Sequence, residues 1–125
     1  MKGESNNRWY IIVNPEAGSK KTQADWPGIK KLLEAHDFDM ECVTTKYQNH
    51  ATELAKNAIQ DLGFSNIISV GGDGTLNEVI NGVFLQDRLK PTDVTVGVIS
   101  VGTGNDWIRM YNIPQDYNEQ IKVIK

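Results

Sequence analysis

The stretch Asn66-Ile67-Ile68-Ser69-Val70-Gly71-Gly72-Asp73-Gly74-Thr75-Leu76 decides the fold of this chain. Its first five residues form a short apolar run bounded by turn residues, which is typical of a strand buried inside a parallel sheet. Glycines 71, 72 and 74 follow at once. Apolar side chains then recur at helical spacing at Leu76, Val79, Ile80, Val83 and Phe84. The stretch therefore predicts a strand, a tight glycine turn and a helix that starts near Thr75.

The same order of strand, loop and helix recurs upstream of this stretch. Arg8–Val13 is a β-rich run that stops at the turn formers of Asn14–Ser19. Met40–Thr45 predicts a second strand. Two amphipathic helices are predicted from apolar side chains at helical spacing: Trp26, Ile29, Leu33 and His36 in the first, and Ala51, Leu54, Ala55, Ala58 and Leu62 in the second, which ends at Gly63.

Downstream, Val94–Ile99 predicts a fourth strand, and Tyr117, Ile121 and Ile124 lie on one face of a short final helix. Alternating strands and helices predict an α/β fold with three layers, a mostly parallel sheet covered by helices on both faces, of Rossmann-like type. The length of 125 residues suits one domain. We expect residues 1–7 to be a flexible polar terminus and residues 8–125 to form that domain.

Composition excludes several classes of protein. With 39% hydrophobic and 23% charged residues the chain is typical of a globular protein, and no apolar run approaches the ~20 residues that span a bilayer. A net charge of -3 argues against a nucleic-acid partner. The polar start shows no secretory signal, and the single cysteine, Cys42, indicates a reducing, cytoplasmic location. Cys42 is interpreted as a small apolar residue on a strand, and His36 and His50 have no metal-ligand spacing with it.

Three glycine-rich loops follow predicted strands, at Asn14–Ser19, Gly71–Thr75 and Gly102–Asn105. Ligands of open α/β sheets bind at the carboxyl ends of strands, so three such loops on one edge indicate a binding site. None of them is a P-loop, and the dinucleotide fingerprint is also missing.

The middle loop has the most specific chemistry. Glycines 71, 72 and 74 allow positive φ and close approach of a ligand, and the N–H groups at the start of the next helix favour phosphate. A carboxylate at Asp73 would repel that phosphate unless it orders a Mg²⁺ ion. The structural alternative is a tight turn in which Asp73 caps the helix.

The outer loops leave more alternatives open. The first loop suits a phosphate or the nucleotide sugar, or is a helix-start turn with Ser19 as N-cap. The third loop, with Thr103 between Gly102 and Gly104 and with Asn105 after them, suits a base or phosphate, or is a plain strand-to-helix turn. Glu78 either orients loop groups or is a solvated residue.

Together, four segments resemble the diacylglycerol kinase catalytic domain family, which includes sphingosine, ceramide and bacterial lipid kinases. They are Asn14-Pro15-Glu16-Ala17-Gly18, Thr44-Thr45 with His50-Ala51, Gly71-Gly72-Asp73-Gly74-Thr75-Leu76-Asn77-Glu78, and Gly102-Thr103-Gly104-Asn105-Asp106. The third of these is the most specific. One departure is Ser100-Val101, where relatives commonly carry proline.

The resemblance implies an ATP-dependent kinase that phosphorylates a lipid hydroxyl at a membrane surface. Asn14, Pro15, Glu16, Ala17, Gly18 and Thr45 would lie near the adenosine part of ATP. Gly72, Asp73, Gly74, Thr75, Leu76, Asn77 and Glu78 would hold the phosphates, with Asp73 on Mg²⁺. Thr103, with Gly102, Gly104 and Asn105, would complete the pocket.

The resemblance also implies a second, β-rich domain that supplies the catalytic base and much of the metal site. We expect that domain to be absent here, so that this chain holds no catalytic residue and is inactive alone. Its expected partners are ATP, the lipid, its own missing domain and, through exposed apolar surface, a second copy in a homodimer. The expected location is cytoplasmic, or peripheral at the inner membrane face.

Two other functions stay open from the sequence. The chain could be an NAD kinase-related phosphotransferase, which shares the Gly-Gly-Asp-Gly loop, although Asn14-Pro15 and the Gly102–Asn105 run favour the lipid kinases. It could also be a stand-alone nucleotide-binding or regulatory module. An unrelated flavodoxin-like domain would require all three glycine loops to be only structural.

Overall fold

The predicted buried strand lies inside the sheet. In the computed structural model, which describes residues 8–16 and 21–101 together with residues 121 and 124, every residue of β3 (Asn66–Gly71) is buried. It belongs to a four-stranded sheet with β1 (Arg8–Val13), β2 (Asp39–Thr44) and β4 (Thr95–Ser100), in the order β2-β1-β3-β4. All three pairings are parallel, which confirms the predicted α/β class.

Helices cover both faces of this sheet. They are α1 (Lys21–Ala35), α2 (His50–Gln60) and α3 (Asp73–Leu85), and a 3₁₀ turn at Pro91–Asp93 precedes β4. Strand β2 lies on one side of β1, and β3 and then β4 lie on the other side. The chain therefore reverses its direction along the sheet after β2. Because crossovers between parallel strands are right-handed, α1 lies on one face and α2 and α3 lie on the other.

The core under α2 and α3 is made compact by small residues. Ala51, Ala55 and Ala58 of α2 are fully buried, and they pack with Val79 and Val83 of α3 over the side chains of Tyr10, Ile12 and Ile67. The Thr52 hydroxyl donates a hydrogen bond of 2.8 Å to the Glu78 carbonyl oxygen, which joins the two helices. The alanines therefore let α2 approach both the sheet and α3 closely.

A second core lies under α1. Ile29 and Leu33 of that helix are fully buried against Ile11, Ile68 and Ile99 of the sheet. Ile121 is helical and fully buried in the same cluster, and helical Ile124 packs against it. These two residues agree with the predicted final helix, whereas Tyr117 lies outside the described residues.

Several predicted boundaries differ from the observed ones. Helix α3 begins at Asp73, two residues before the predicted start, and α1 ends at Ala35, so His36 lies in the following turn. Leu62 and Phe84, two of the apolar residues that mark the predicted helices, are 52% and 68% exposed. Leu62 lies beyond the end of α2, and Phe84 lies on the solvent side of α3.

Helix α2 ends at Gln60 with Asp61 as its C-cap, so Gly63, which was predicted to end the helix, lies in the turn that follows. Gly63 has a left-handed φ of 83°, a conformation that costs glycine little. The next N–H group, of Phe64, then donates to the Ala58 carbonyl oxygen at 2.9 Å. This turn brings the buried Phe64 ring onto Tyr10, with ring centroids 5.0 Å apart, and leads the chain into β3.

Cys42 lies half-buried on β2 and packs against the α1 cluster. Burial is the main cause that raises the pKa of its thiol. Since the thiolate is the reactive form, this agrees with the interpretation of Cys42 as a small apolar residue. Among the described helices, none is long and apolar enough to cross a membrane.

The close packing of α2 and α3 can be tested at Gly82. A Cβ atom at this position would press on the Thr52 carbonyl oxygen and lie 2.8 Å from the Ala55 Cβ. We expect Gly82→Ala to destabilise the fold by about 1–3 kcal/mol, since overpacking outweighs the better helix propensity of alanine. Thermal unfolding followed by circular dichroism measures this change.

Gly28→Ala in α1 is the matched control. Among the residues that the structure describes, a Cβ atom at Gly28 would meet no atom within 4 Å. Alanine there should stabilise the fold by about 0.5–1 kcal/mol. Equal melting temperatures for the two variants would contradict the packing of α2 on α3 described above.

Candidate functional site

The carboxyl ends of the strands form a single edge. Val13, the last residue of β1, pairs with Thr44 on one side and with Val70 on the other, and Gly71 pairs with Ser100. The loops that begin after these strands therefore start side by side. Of the predicted loop residues, Ala17, Gly18 and Gly102–Asn105 lie outside the described part of the chain.

A topological switch point lies between β1 and β3. The connection that leaves β1 leads to β2 on one side, whereas the connection that leaves β3 leads to β4 on the other side. Connections that diverge in this way open a crevice at the carboxyl ends of the two strands, where α/β proteins bind ligands. Asn14 and Gly72 follow the two strands directly and border the crevice.

Main-chain hydrogen bonds hold the loop starts in place. The Asn14 N–H donates to the Val70 carbonyl oxygen at 3.0 Å, and the Thr45 N–H donates to that of Val13 at 2.8 Å. At the start of the third loop, the Val101 N–H donates to the Gly71 carbonyl oxygen at 2.9 Å. The first residue of each of these loops is thus hydrogen-bonded to a neighbouring strand before the loop leaves the sheet.

The Asn14 side chain joins three of these segments. Its Nδ2 donates to the Thr75 Oγ1 at 3.1 Å, and its Oδ1 accepts from the Thr45 hydroxyl at 3.4 Å and from the Glu16 N–H at 3.1 Å. Thr75 is buried, with 2% of its surface exposed, and Asn14 and Thr45 are half-buried. The three side chains were predicted as separate site residues, and the structure brings them into one network.

The glycine loop ends in an open helix N-terminus. Of its glycines, Gly71 has a positive φ, of 156°, whereas Gly72 is extended at φ -107° and Gly74 is helical. Gly72 is the N-cap and offers no side-chain cap, and the Leu76 N–H donates to the Gly72 carbonyl oxygen. The N–H groups of residues 73–75 precede this intrahelical bond. Such groups, with the helix dipole, form an anion-binding feature.

Space for a ligand exists at Gly74. A Cβ atom built there would meet no atom of the described residues within 4 Å. Gly74 is exposed, so nothing inside the fold requires a glycine at this position. A phosphate against the first turn of α3 would use that space.

The neighbouring carboxylate is also open. Asp73 is the exposed first residue of α3, and Gly72 rather than Asp73 is the N-cap, so the alternative role of Asp73 as a helix cap is not observed. Within the described ranges, no three His, Cys, Asp or Glu residues gather into a ready metal site. A single exposed carboxylate beside a phosphate site suits Mg²⁺, which usually takes one or two protein carboxylates and fills its shell with phosphate and water.

The remaining residues that were predicted for the site lie partly in the core and partly on the surface. Leu76 is buried, and Asn77 is exposed. Glu78 is half-buried, and its main-chain carbonyl oxygen accepts the hydrogen bond from the Thr52 hydroxyl. Pro15 is half-buried and Glu16 is exposed beside the crevice.

An aromatic cluster next to Thr45 was not predicted. The Tyr47 and His50 rings stack with centroids 4.3 Å apart, and the Tyr47 hydroxyl donates to Glu53 Oε1 at 2.9 Å. The Lys46 N–H donates to His50 Nδ1 at 2.9 Å. The hydrogen bond to Glu53 is the main cause that raises the pKa of Tyr47. The spacing of three residues between Tyr47, His50 and Glu53 is the signal in the sequence that could have revealed this cluster.

A separate groove of about 460 Å³ lies between α2 and α3. It is open to solvent and is lined by Asn49, Thr52, Glu53, Asn81, Phe84 and Leu85. Phe84 and Leu85 are both largely exposed. The groove uses none of the residues predicted for the site.

Comparison with known proteins places this geometry in a family. The family described as "Diacylglycerol kinase catalytic domain" matches residues 8–125. The chain is 35% identical over 117 residues to the diacylglycerol kinases of Staphylococcus saprophyticus and Staphylococcus aureus (strain bovine RF122 / ET3-1). Each match covers 94% of this chain, and 37% and 36% of the two relatives respectively. The chain thus spans well under half the length of these relatives.

A solved structure gives the same result. The crystal structure of a diacylglycerol kinase from Bacillus anthracis str. Sterne superposes with a TM-score of 0.73 at 33% sequence identity, and the match covers 94% of this chain and 39% of that one. Sequence and fold agree over nearly the whole chain, and this chain belongs to the diacylglycerol kinase catalytic domain family.

Proposed function

We propose that this chain is the nucleotide-binding half of an ATP-dependent lipid kinase, which transfers the γ-phosphoryl group of ATP to a lipid hydroxyl. One observation carries the proposal: the open N-terminus of α3 lies behind a glycine loop at the switch point of the sheet, with free space at Gly74. Family membership supports the reaction class, since the relatives are named diacylglycerol kinases.

The phosphates would be held mainly by the main chain. The N–H groups of Asp73, Gly74 and Thr75 precede the intrahelical ladder and would donate to phosphate oxygens, helped by the helix dipole. Gly72 and Gly74 would allow a close approach, and Asn77 and Glu78 would lie one turn further along α3. Binding of this kind needs no basic surface, which agrees with the net charge of -3.

Asp73 would hold Mg²⁺ together with the phosphates. A bound Mg²⁺ ion neutralises phosphate charge and stabilises the charge that develops during phosphoryl transfer. The Asp73 carboxylate is exposed at the first position of α3, so it can reach a cation bound beside the helix N-terminus. Without the cation, the same carboxylate would repel ATP.

The adenosine part of ATP would lie on the β1 and β2 side of the crevice. The first loop, Asn14–Gly18, starts there, and so does the loop that begins at Thr45. The Thr45 hydroxyl joins the two loops by donating a hydrogen bond to the Asn14 side chain. The pocket would be closed from the end of β4 by the residues Gly102, Thr103, Gly104 and Asn105. This follows from the position of the preceding residue, because the Val101 N–H donates to the Gly71 carbonyl oxygen of the glycine loop.

Phosphoryl transfer needs more than this half of a cleft. We propose that the base for the lipid hydroxyl, and further metal ligands, belong to the part of the relatives that this chain does not match. The lipid would be met at a membrane surface, with both parts assembled around the in-line attack. By itself, the chain is expected to bind MgATP weakly and to phosphorylate no lipid.

The phosphate site can be tested by filling the space at Gly74. Gly74→Ala should leave the stability unchanged or raise it by up to about 1 kcal/mol, because alanine favours a helix and meets no clash. The same methyl group should weaken MgATP binding at least about tenfold by blocking the phosphate. Calorimetric titration and thermal unfolding measure the two effects.

Gly28→Ala is again the matched control, since it adds the same methyl group at an open position of another helix. It should leave the MgATP affinity unchanged. An unaltered affinity in Gly74→Ala would contradict a phosphate at the start of α3.

Magnesium dependence tests the role of Asp73. Asp73→Asn should abolish most of the gain in ATP affinity that Mg²⁺ gives, because the amide carries no charge for the cation. With EDTA present, the same variant should bind ATP as well as the unmodified chain or better, because the repulsion is gone. Titrations with and without Mg²⁺ reveal this opposite behaviour.

Asp61→Asn serves as the control for charge alone. Asp61 is exposed and follows α2, at the amino edge of the sheet, away from the crevice. Its replacement should change neither titration. Equal Mg²⁺ dependence in Asp73→Asn and the unmodified chain would argue against a metal role for Asp73.

A further inference from the structure

We infer that the Asn14 side chain is a positioning residue, which fixes the geometry of the nucleotide site through Thr45 and Thr75. The inference rests on the proposed function, since it assigns a role within the same site. It concerns the one side chain among the described residues that links the ends of β1 and β2 to the first turn of α3.

The geometry of the amide group supports this role. An asparagine side chain has an NH₂ group with two donors and a carbonyl oxygen that accepts twice. In Asn14 the NH₂ group already donates to Thr75 Oγ1, and the carbonyl oxygen already accepts both the Thr45 hydroxyl and the Glu16 N–H. The acceptor capacity is therefore used within the protein.

The partners of Asn14 explain what the network positions. Thr75 is one of the three residues at the open N-terminus of α3. The residue is 2% exposed, and its hydroxyl oxygen accepts the hydrogen bond from Asn14 inside the fold. The bond from Asn14 holds that first turn against the end of β1, across 61 residues of sequence. The bond with Thr45 holds the β2 loop on the other side, across 31 residues.

The Asn14 side chain thus connects the segments that follow β1, β2 and β3 at the switch point. If the network is lost, the first turn of α3 and the β2 loop can shift apart, and the N–H groups of residues 73–75 no longer converge on one phosphate. The loss should appear in nucleotide affinity more than in global stability, because both segments stay anchored by the core.

A double-mutant cycle on this chain tests whether Asn14 acts through its hydrogen bond to Thr75. Asn14→Ala should weaken MgATP binding roughly tenfold, and Thr75→Val, which replaces the hydroxyl with a methyl group of similar size, roughly fivefold. Because both changes break the same link, the double variant should bind only about tenfold more weakly than the unmodified chain. Independent effects would multiply to about fiftyfold.

Two controls separate this role from a merely structural one. Thr75→Ser keeps the hydroxyl and should retain the affinity. Asn66→Ala removes an asparagine at the opposite edge of the sheet, where Nδ2 donates to the Arg8 carbonyl oxygen at 3.3 Å. That variant should lower the melting temperature and leave the MgATP affinity unchanged.

Each outcome decides between the hypotheses. No MgATP binding by the folded, unmodified chain overturns the proposed function, and the positioning role falls with it. Binding by that chain with an unchanged affinity in Asn14→Ala overturns the positioning role alone, as do multiplying losses in the double variant. If Asn14→Ala does not fold, the contrast of Thr75→Val with Thr75→Ser carries the test, and equal affinities of the two overturn the inference.

Discussion

Parallel pairing of β1 with both β2 and β3 is the constraint on which the rest of this structure depends. It aligns the last residues of the strands, so that Val13 lies between Thr44 and Val70. It also forces the connections on the two sides of β1 to diverge, since right-handed crossovers place α1 on one face and α2 and α3 on the other. The crevice at the end of β1 follows from this topology before any side chain is considered.

Packing then fixes how α3 meets that crevice. The fully buried alanines of α2 and the close contact at Gly82 of α3 hold the two helices together over the sheet. Leu76, Val79 and Val83 bury the other side of α3. The helix N-terminus is therefore anchored by apolar contacts behind it, and the polar groups in front need not hold the fold together. This division leaves Gly74 and Asp73 open to serve a ligand.

The proposed function requires an acidic chain to bind a polyphosphate, and like charges repel each other. Main-chain N–H groups at a helix start, together with a cation held by Asp73, would provide the positive charge that the side chains of this chain lack overall. Such a site works only when its donors converge, and convergence here depends on three loops that are distant in sequence. The Asn14 network lies where those loops meet, which is why its role is best described as positioning.

The sequence by itself determined the fold class and most of the elements, because β1 and β3 carry apolar runs and apolar side chains recur at helical spacing between the strands. It also determined the family, through Gly71–Glu78 and the shorter segments. It did not determine that Leu62 lies beyond the end of α2 or that Phe84 is exposed, since periodicity alone does not reveal where a helix ends or which of its faces meets solvent. Only the tertiary structure decided that Thr75 is buried against Asn14, that Gly72 is the cap, and that Tyr47 stacks on His50. Those facts depend on strand order and register, which bring together residues that a local pattern cannot connect.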